Sequence, residues 1–128
     1  MKTPDHDHPI TITPCKGRVS VLCNGVLLAR SDAALLLAEA KYPPVIYIPR
    51  SDIRIEHYVR SEHQSHCPYK GDANYFSLDI HGQRIQNTVW TYENPYRAVA
   101  QIKGHVAFYA DKVTFETRET FDTEMSQS

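Results

Sequence analysis

Apolar and polar residues alternate along most of this chain, and short turns separate the alternating runs. In RVSVLCNGVLLAR, apolar residues flank Asn24-Gly25, a pair that tolerates positive φ at both positions of a type I′ turn. Pairing across this turn places one set of side chains on the same face: Val19, Val21, Cys23, Val26 and Leu28. The pattern predicts a hairpin in which Cys23 fills the core and carries no chemistry.

The segment SDAALLLAEAKY, residues 31–42, fits two structures. Its Ala, Leu and Glu content favours a helix that Ser31 could cap. It nevertheless follows a hairpin strand and precedes PPVIYIP, a short strand bounded by prolines, and neighbouring strands can override a weak propensity. We expect a strand over residues 32–40, and then a short helix over residues 52–59 with Ser51 as its cap.

The clearest ribbon consists of NYFSLDI and RIQNTVWTY, joined around His81-Gly82-Gln83. A two-residue loop at either place sorts the side chains in the same way, whereas a three-residue loop would not. One face carries Phe76, Leu78, Ile80, Ile85 and Val89. The other face carries Tyr75, Ser77, Thr88, Trp90 and Tyr92.

The last third of the chain predicts a helix and a hairpin. ENPYRAVAQIKG has Asn94 as N-cap, Pro95 at the first helical position and Gly104 past the end. HVAFYADKVTFE, residues 105–116, predicts a hairpin that buries four side chains together: Val106, Phe108, Val113 and Phe115.

These elements predict a mainly β protein, a single compact antiparallel β domain with barrel-like or tent-like curled sheets and two short helices. The 128 residues are enough for one hydrophobic core. We expect a disordered N-terminal tail over residues 1–9, one β-rich domain over residues 10–117, and a disordered C-terminal tail over residues 118–128.

Composition narrows the function classes. The net charge is -1 and no run is strongly basic, which argues against an electrostatic nucleic-acid binder. The longest apolar run, residues 33–38, is too short to span a bilayer, and MKTPDHDHP lacks the apolar core of a secretion signal. Three cysteines without a CxxC pair fit a reducing cytoplasm. We expect a cytoplasmic protein without a nucleic-acid or membrane partner; the oligomeric state stays open.

Metal and cofactor chemistry has weak support. His63, His66 and Cys67 form an H-x2-H-C cluster that could bind zinc, but no second ligand pair has recognisable spacing. The DHDH run near the N-terminus is better read as part of a solvated tail. We therefore expect no metal and no cofactor.

The stretch HCPYKGDANYF places a thiol, an imidazole and an ammonium close together. A neighbouring lysine or histidine can turn a thiol into a nucleophilic thiolate, so Lys70 and His66 are candidate activators of Cys67. Glu93 or Asp52 could orient a base. The alternative is that Cys67 packs as a small hydrophobe in a tight turn, which leaves the role of His66 open.

The aromatic face of the ribbon suggests a pocket. Tyr75, Trp90 and Tyr92 are either covered by a second layer or form a half-open wall, the usual lining of a small-molecule site. The CPYKG turn enters this ribbon at Tyr75, which brings Cys67 and Lys70 to the same rim. The candidate ligand-binding residues are Arg50, Asp52, Cys67, Tyr69, Lys70, Tyr75, Trp90, Tyr92 and Glu93.

Four ordered motifs, YPPVIYIPRSD, HCPYKGDANYFS, WTYENPYRAVAQIKG and HVAFY, resemble the small bacterial and fungal family called domain of unknown function 427. The resemblance covers residues 17–117 and implies a compact β-rich single domain without a settled activity. It marks these motif positions: Glu39, Tyr42, Pro43, Arg50, Asp52, Cys67, Pro68, Tyr69, Lys70, Gly71, Tyr75, Trp90, Tyr92, Glu93 and Pro95.

A nucleotidyltransferase label is sometimes attached to that family. Such chemistry needs a Gly-Ser phosphate-binding turn and paired aspartates that hold magnesium. The D-x-D here is Asp5-His6-Asp7, in the expected tail, so the sequence gives the label little support.

Three functional hypotheses remain. The first is a domain that binds a small anionic or planar ligand in a pocket lined by Tyr75, Trp90 and Tyr92. The second is an enzyme that uses the same cleft, with Cys67, Lys70 and Glu93 as candidate catalytic residues. The third is a structural or protein-interaction module without a ligand. Whether the chain is an enzyme is left open by its sequence.

Overall fold

The computed structural model describes residues 1–119. Within them, ten strands form two sheets, and three short 3-10 turns connect some of the strands. The strands are β1 (Ile10–Pro14), β2 (Arg18–Cys23), β3 (Val26–Ser31), β4 (Leu35–Glu39), β5 (Val45–Pro49), β6 (Tyr58–Cys67), β7 (Gly71–Ile80), β8 (Gln83–Thr91), β9 (His105–Phe108) and β10 (Thr114–Arg118). The 3-10 turns span Arg50–Asp52, Ile55–His57 and Arg97–Ile102.

The large sheet has the strand order β1-β4-β5-β9-β8-β7-β6, and the small sheet has the order β10-β2-β3. All strand pairs are antiparallel. In the described residues each sheet has two free edges, so neither is a closed barrel. The predicted class, a compact antiparallel β domain, is confirmed, and the barrel-like alternative is wrong.

The large sheet has a hydrophobic cluster on each face. The inner cluster lies between the two sheets and joins Val19 and Leu28 of the small sheet to Ile48 and Val89 of the large one. Tyr47, adjacent to Ile48, belongs to a second cluster, because neighbouring residues of a strand point to opposite faces. The 3-10 turn Arg97–Ile102 covers this outer cluster with its buried residues. The predicted aromatic site residues Tyr75, Trp90 and Tyr92 lie on this outer face.

The first hairpin forms with the predicted turn, but a register shift between Val21 and Leu22 makes Val21 pair with Ala29 and leaves Leu28 without a paired residue. Asn24 and Gly25 have φ of 50° and 80°, as a type I′ turn requires. Cys23 is 3% exposed and packs in the inner cluster. Burial raises the pKa of its thiol, which agrees with a core residue.

The ambiguous segment is a strand, as expected. β4 pairs with β1 on one side and with β5 on the other. Two neighbouring strands satisfy its backbone groups, so pairing outweighs the helix propensity of its Ala and Leu residues.

The β7–β8 ribbon has the predicted two-residue loop at His81-Gly82, and a bulge that the sequence did not reveal. Phe76 pairs with Val89 and Leu78 pairs with Ile85, so residues 86–88 lie opposite Ser77 alone. β8 thus has two more residues than β7 in this stretch. Because side chains alternate with a period of two, two extra residues leave the later side chains of β8 on the same faces as before. The predicted sorting is correct for the apolar and aromatic side chains, because the five aliphatic-face residues lie in or against the inner cluster and Tyr75, Trp90 and Tyr92 lie in or against the outer one.

The helix expected over residues 52–59 is wrong. Two separate 3-10 turns replace it, with Ile53 extended between them and Val59 already in β6. Ile53 forms an isolated bridge with Ala29, and the amide of Arg54 donates to the carbonyl of Leu28 at 2.8 Å. This pairing with β3 holds the backbone extended where a helix would have to continue. Ser51 lies inside the first turn and does not cap it.

The helix expected in ENPYRAVAQIKG is also wrong. Only the 3-10 turn Arg97–Ile102 forms, and it is interrupted at Val99 (φ -124°, ψ 29°). Asn94 and Pro95 precede the turn, which begins after Tyr96 without a side-chain cap. The amide of Tyr96 donates to the carbonyl of Lys70 at 3.0 Å, so this segment is tied to a neighbouring turn. The predicted end is correct, since Gly104 follows with φ of 71°.

The hairpin expected over residues 105–116 is wrong, although its four side chains do cluster. β9 pairs with β5 and β8 in the large sheet, whereas β10 pairs with β2 in the small one. Val106 and Phe108 pack in the inner cluster, with Val113 and Phe115 against it. The two segments bury their apolar residues in the same cluster from different sheets. In the sequence, this pattern cannot be told apart from that of two strands that pair with each other.

The N-terminal segment, expected to be disordered, makes contacts in the structure. The amide of Lys2 donates to the carbonyl of Pro68 at 2.8 Å, and Asp5 and His8 form an isolated bridge. The expected C-terminal tail lies almost wholly outside the described residues, and the domain boundaries stay predictions. No helix within residues 1–119 has the length and apolar character to cross a bilayer.

Candidate functional site

A cavity of about 230 Å³ opens on the outer face of the large sheet. We call it the aromatic pocket. Strands β4, β5, β7 and β8, the β6–β7 turn and three loops supply its walls. Its lining residues are Leu37, Glu39, Tyr42, Pro43, Val45, Tyr47, Lys70, Tyr75, Trp90, Tyr92 and Tyr109.

Four of the predicted site residues meet at this pocket. Tyr75 and Trp90 are direct cross-strand partners in the β7–β8 ribbon. Tyr92 follows two residues after Trp90 on the same face, and Lys70 reaches the pocket from the β6–β7 turn. Strand alternation explains the three rings, because residues two apart on a strand share a face.

The indole of Trp90 is held by two tyrosines. Its Nε1 donates to the hydroxyl of Tyr47 at 3.2 Å, and the two rings meet edge to face with centroids 6.5 Å apart. The ring of Tyr109 lies on another side of the indole, with centroids 4.8 Å apart. These contacts fix the ring plane, so the pocket has a preformed aromatic wall.

The polar wall of the pocket is an ion pair that the sequence did not indicate. Lys70 Nζ donates to Glu39 Oε1, and the two side chains are only 10% and 13% exposed. Nε2 of His8 lies 2.8 Å from the other carboxylate oxygen. Burial alone would raise the pKa of Glu39, but the hydrogen bonds and charges of Lys70 and His8 outweigh it and lower the pKa.

Tyr69 supports this polar wall from outside the pocket. Its ring stacks on the imidazole of His8, with centroids 3.8 Å apart and planes 2° from parallel. The ammonium of Lys2 lies 5.9 Å from the centroid of the same ring. Tyr69 therefore orients His8, while its own side chain is not among those that line the cavity.

Three phenols of the pocket, those of Tyr47, Tyr92 and Tyr109, have a raised pKa and are neutral hydrogen-bond donors. Burial raises the pKa of Tyr47 and Tyr92 far above its ordinary value. The neighbouring phenol of Tyr75 and burial raise the pKa of Tyr109 to about 12. Among the hydrogen bonds of residues 1–119 none involves the hydroxyl of Tyr92, a residue that lines the pocket.

Glu93 and Arg50 lie away from the pocket, contrary to the expected rim. Glu93 accepts two hydrogen bonds from Arg60, at 2.8 and 3.0 Å, and one from Arg50 at 3.1 Å. The bonds from Arg60 are the largest cause that lowers the pKa of Glu93. Both guanidinium groups also lie over the ring of Phe76. This cluster joins the turn after β5 to β6 and to the end of β8.

Asp52 is likewise separate from the pocket. Its carboxylate accepts a hydrogen bond of 2.6 Å from the hydroxyl of Ser31. The same hydroxyl accepts a bond of 2.9 Å from the amide of Ala33. Asp52 thus connects the turn after β5 to the β3–β4 connection.

The three candidate catalytic residues do not meet. Cys67 is half-buried at the end of β6 and packs against the outer cluster, where its carbonyl accepts from the amide of Lys70 at 3.3 Å. Its thiol makes no hydrogen bond in residues 1–119, and Lys70 pairs with Glu39 instead of Glu93. His66 turns to Asp72, with Nδ1 and Oδ1 2.7 Å apart. In the same part of the chain no three metal-ligating side chains are grouped to hold an ion.

Sequence reasoning missed several lining residues, and one of them left a signal. In VIYIP, Tyr47 alternates with Ile46 and Ile48, which predicts that the phenol faces away from the inner cluster. No comparable signal links Glu39 to Lys70, because 31 positions separate them.

Comparison with protein-family models matches residues 11–119 to the family described as domain of unknown function (DUF427). No curated protein matches the chain. The family match includes β2 to β10 and every residue that lines the aromatic pocket. Since it covers most of the 128 residues, the chain belongs to the DUF427 family.

Proposed function

We propose that this protein is a small-molecule-binding domain whose aromatic pocket takes a planar ligand of one ring or two fused rings. The observation that carries the proposal is the fixed indole of Trp90, which faces open space between tyrosine side chains. A flat ligand could lie against this wall with little loss of side-chain freedom, since the indole is already held.

The size of the pocket limits the ligand. A volume of about 230 Å³ corresponds to roughly eight water molecules of about 30 Å³ each. That space suits one or two fused rings with a small substituent. It is smaller than the usual site for a drug-sized molecule or a dinucleotide.

Polar groups are placed to orient such a ring. The hydroxyl of Tyr47 accepts from Trp90 and keeps its own proton to donate. Tyr92 and Lys70 also line the cavity, and they carry a hydroxyl and an ammonium group. An aromatic wall with a few convergent donors is typical of small-molecule sites.

A metabolite screen tests the proposal. Because Trp90 is the only tryptophan, its fluorescence reports directly on the pocket. We expect a planar metabolite to raise the melting temperature and to change this fluorescence with the same concentration dependence. Hits are then repeated by thermal shift on Trp90→Ala, on Lys70→Ala and on the control Lys103→Ala.

The variants decide which outcome holds. Ligand stabilisation should be lost in Trp90→Ala and Lys70→Ala, provided that each variant keeps a cooperative unfolding transition, and should persist in Lys103→Ala. Lys103 is an exposed lysine outside the pocket lining. Ligand binding that survives both pocket variants would place the site elsewhere.

We place this function in the cytoplasm. Cys15, Cys23 and Cys67 are all free thiols in the structure. Unpaired thiols are the usual state of cysteines in a reducing compartment.

A further inference from the structure

We infer that the ring bound by the aromatic pocket is uncharged and carries a hydrogen-bond acceptor, and that Glu39 sets this preference. The inference rests on the proposed function and names the chemical class of ligand within it. It follows from three properties of the polar wall: its charge balance, its existing cation and its remaining donors.

The charge balance disfavours an anionic ligand. With the imidazole of His8 neutral, the formal charges of Lys70 and Glu39 cancel, and both side chains are largely shielded from water. An anion in the pocket would add a second negative charge beside the Glu39 carboxylate, where screening is weak. Taking Lys70 away from Glu39 would leave a buried carboxylate without its cationic partner, which is also unfavourable.

The existing cation disfavours a cationic ligand. A cage of aromatic rings with a carboxylate commonly binds ammonium groups. Here that carboxylate already pairs with Lys70 and hydrogen-bonds His8. A second cation would meet the Lys70 ammonium, and both oxygens of Glu39 already take part in a hydrogen bond.

The remaining donors favour an acceptor. A lysine ammonium has three N–H groups, and in the described hydrogen bonds Lys70 uses one of them, toward Glu39. Tyr92 adds a hydroxyl without a protein partner, as described above. A ring carbonyl, amide or hydroxyl oxygen would accept from these donors without disturbing the ion pair.

Three probes of the same shape test the charge preference: benzamide (uncharged), benzoate (negative) and benzamidine (positive). Each is titrated into the full chain, labelled with ¹⁵N, and followed by NMR. The single tryptophan gives one indole N–H signal, which belongs to the pocket wall. We expect benzamide to bind at least about tenfold more tightly than either ion, as a like charge nearby costs that much or more.

Glu39→Gln tests the residue that sets the preference. The change keeps the side-chain shape and removes the negative charge, so Lys70 becomes available to an anion. Benzoate should then gain about tenfold or more in affinity while benzamide changes little. The control Glu116→Gln, on the exposed face of β10, should leave all three affinities unchanged.

Benzoate binding that equals or exceeds benzamide binding in the unmodified chain would overturn the inference, whether or not the variant folds. Benzoate affinity that is the same before and after Glu39→Gln in a folded variant would also overturn it. If no probe moves the indole signal up to its solubility limit, and the metabolite screen finds no ligand either, the proposed function fails and takes this inference with it.

Discussion

The indole Nε1 of Trp90 donates to the phenol hydroxyl of Tyr47 at 3.2 Å, and the two rings stand at 88° to each other. One residue comes from β8 and the other from β5, with β9 between these strands in the sheet. The contact therefore spans β9 on the outer face of the sheet and fixes the geometry of the pocket wall.

Removing the Tyr47 hydroxyl should loosen this wall without unfolding the protein. We expect Tyr47→Phe to lower the free energy of unfolding by about 1 kcal/mol, the usual net value of one hydrogen bond. The indole N–H resonance of Trp90 should shift in the same variant. Urea denaturation and the ¹H–¹⁵N spectrum provide the two measurements.

Tyr42→Phe is the matched control, since Tyr42 is 65% exposed at the rim and its hydroxyl makes no hydrogen bond to residues 1–119. It should leave both measurements unchanged. An unshifted indole signal in Tyr47→Phe would contradict the observed hydrogen bond.

The Lys70–Glu39 pair should show strong coupling. Lys70→Met or Glu39→Gln alone leaves a largely buried charge without its partner, and each should cost about 3 kcal/mol of folding stability. The double variant should cost much less than the sum of the two single changes. Denaturant unfolding of all four proteins gives the coupling energy, and additive costs would show that the pair contributes nothing of its own.

The same carboxylate predicts how stability changes in acid. The pKa of Glu39 is lower in the folded protein than its ordinary value, near 4.3 in model peptides. Its contribution to stability is thus complete above that value and is lost as the pH falls through the lower, folded pKa.

The stability gap between the unmodified chain and Glu39→Gln should therefore stay constant from neutral pH to about pH 5, and narrow below about pH 4. Glu93→Gln should behave in the same way, because Arg60 and Arg50 lower the pKa of Glu93. Urea midpoints between pH 3 and pH 7 measure both gaps. A stability difference that grows as the pH falls would mean that folding raises the pKa of the carboxylate and does not lower it.

Gly71 should resist substitution because of its backbone and not because of crowding. Its φ is 111°, outside the left-handed well that other residues reach, while an added Cβ would have its nearest neighbours at 3.6 Å, an ordinary contact. Gly71→Ala should cost about 1–3 kcal/mol. Gly82→Ala, at φ of 77° in open space, should cost about 1 kcal/mol. Thermal unfolding compares them, and equal losses would contradict the backbone explanation.

Alkylation of the three thiols tests the enzyme hypothesis. Cys23 should react last, because it is buried and burial raises the pKa of its thiol. Cys67 and Cys15 are both half-buried, and we expect their rates at pH 7 to agree within about tenfold. Mass spectrometry after iodoacetamide treatment gives the order. A lead of about a hundredfold for Cys67 would favour a Cys67-dependent enzyme instead.

Local pattern was enough to predict the ribbon and the aromatic wall. The dipeptides Asn24-Gly25 and His81-Gly82 fix two hairpins through their own backbone preferences, and alternation then sorts each strand. Tyr75 and Trp90 were placed on one face by these short-range rules alone.

Contacts between distant segments account for what was missed. The bridge from Ile53 to Ala29 prevents a helix that local propensity favours. Glu39, the partner of Lys70, lies on β4, and no residue near the β6–β7 turn indicates this pairing. Long-range pairing of this kind depends on how the sheet curls, and periodicity along one strand carries no information about that.

The bulge opposite Ser77 determines which insertions and deletions β8 can accept without turning its side chains to the other face. Deleting one residue from positions 86–88 would turn the indole toward the small sheet and bring Thr91 into its place. Deleting two would leave every later side chain of β8 on its present side. Evolution at this site should therefore tolerate insertions and deletions in even steps.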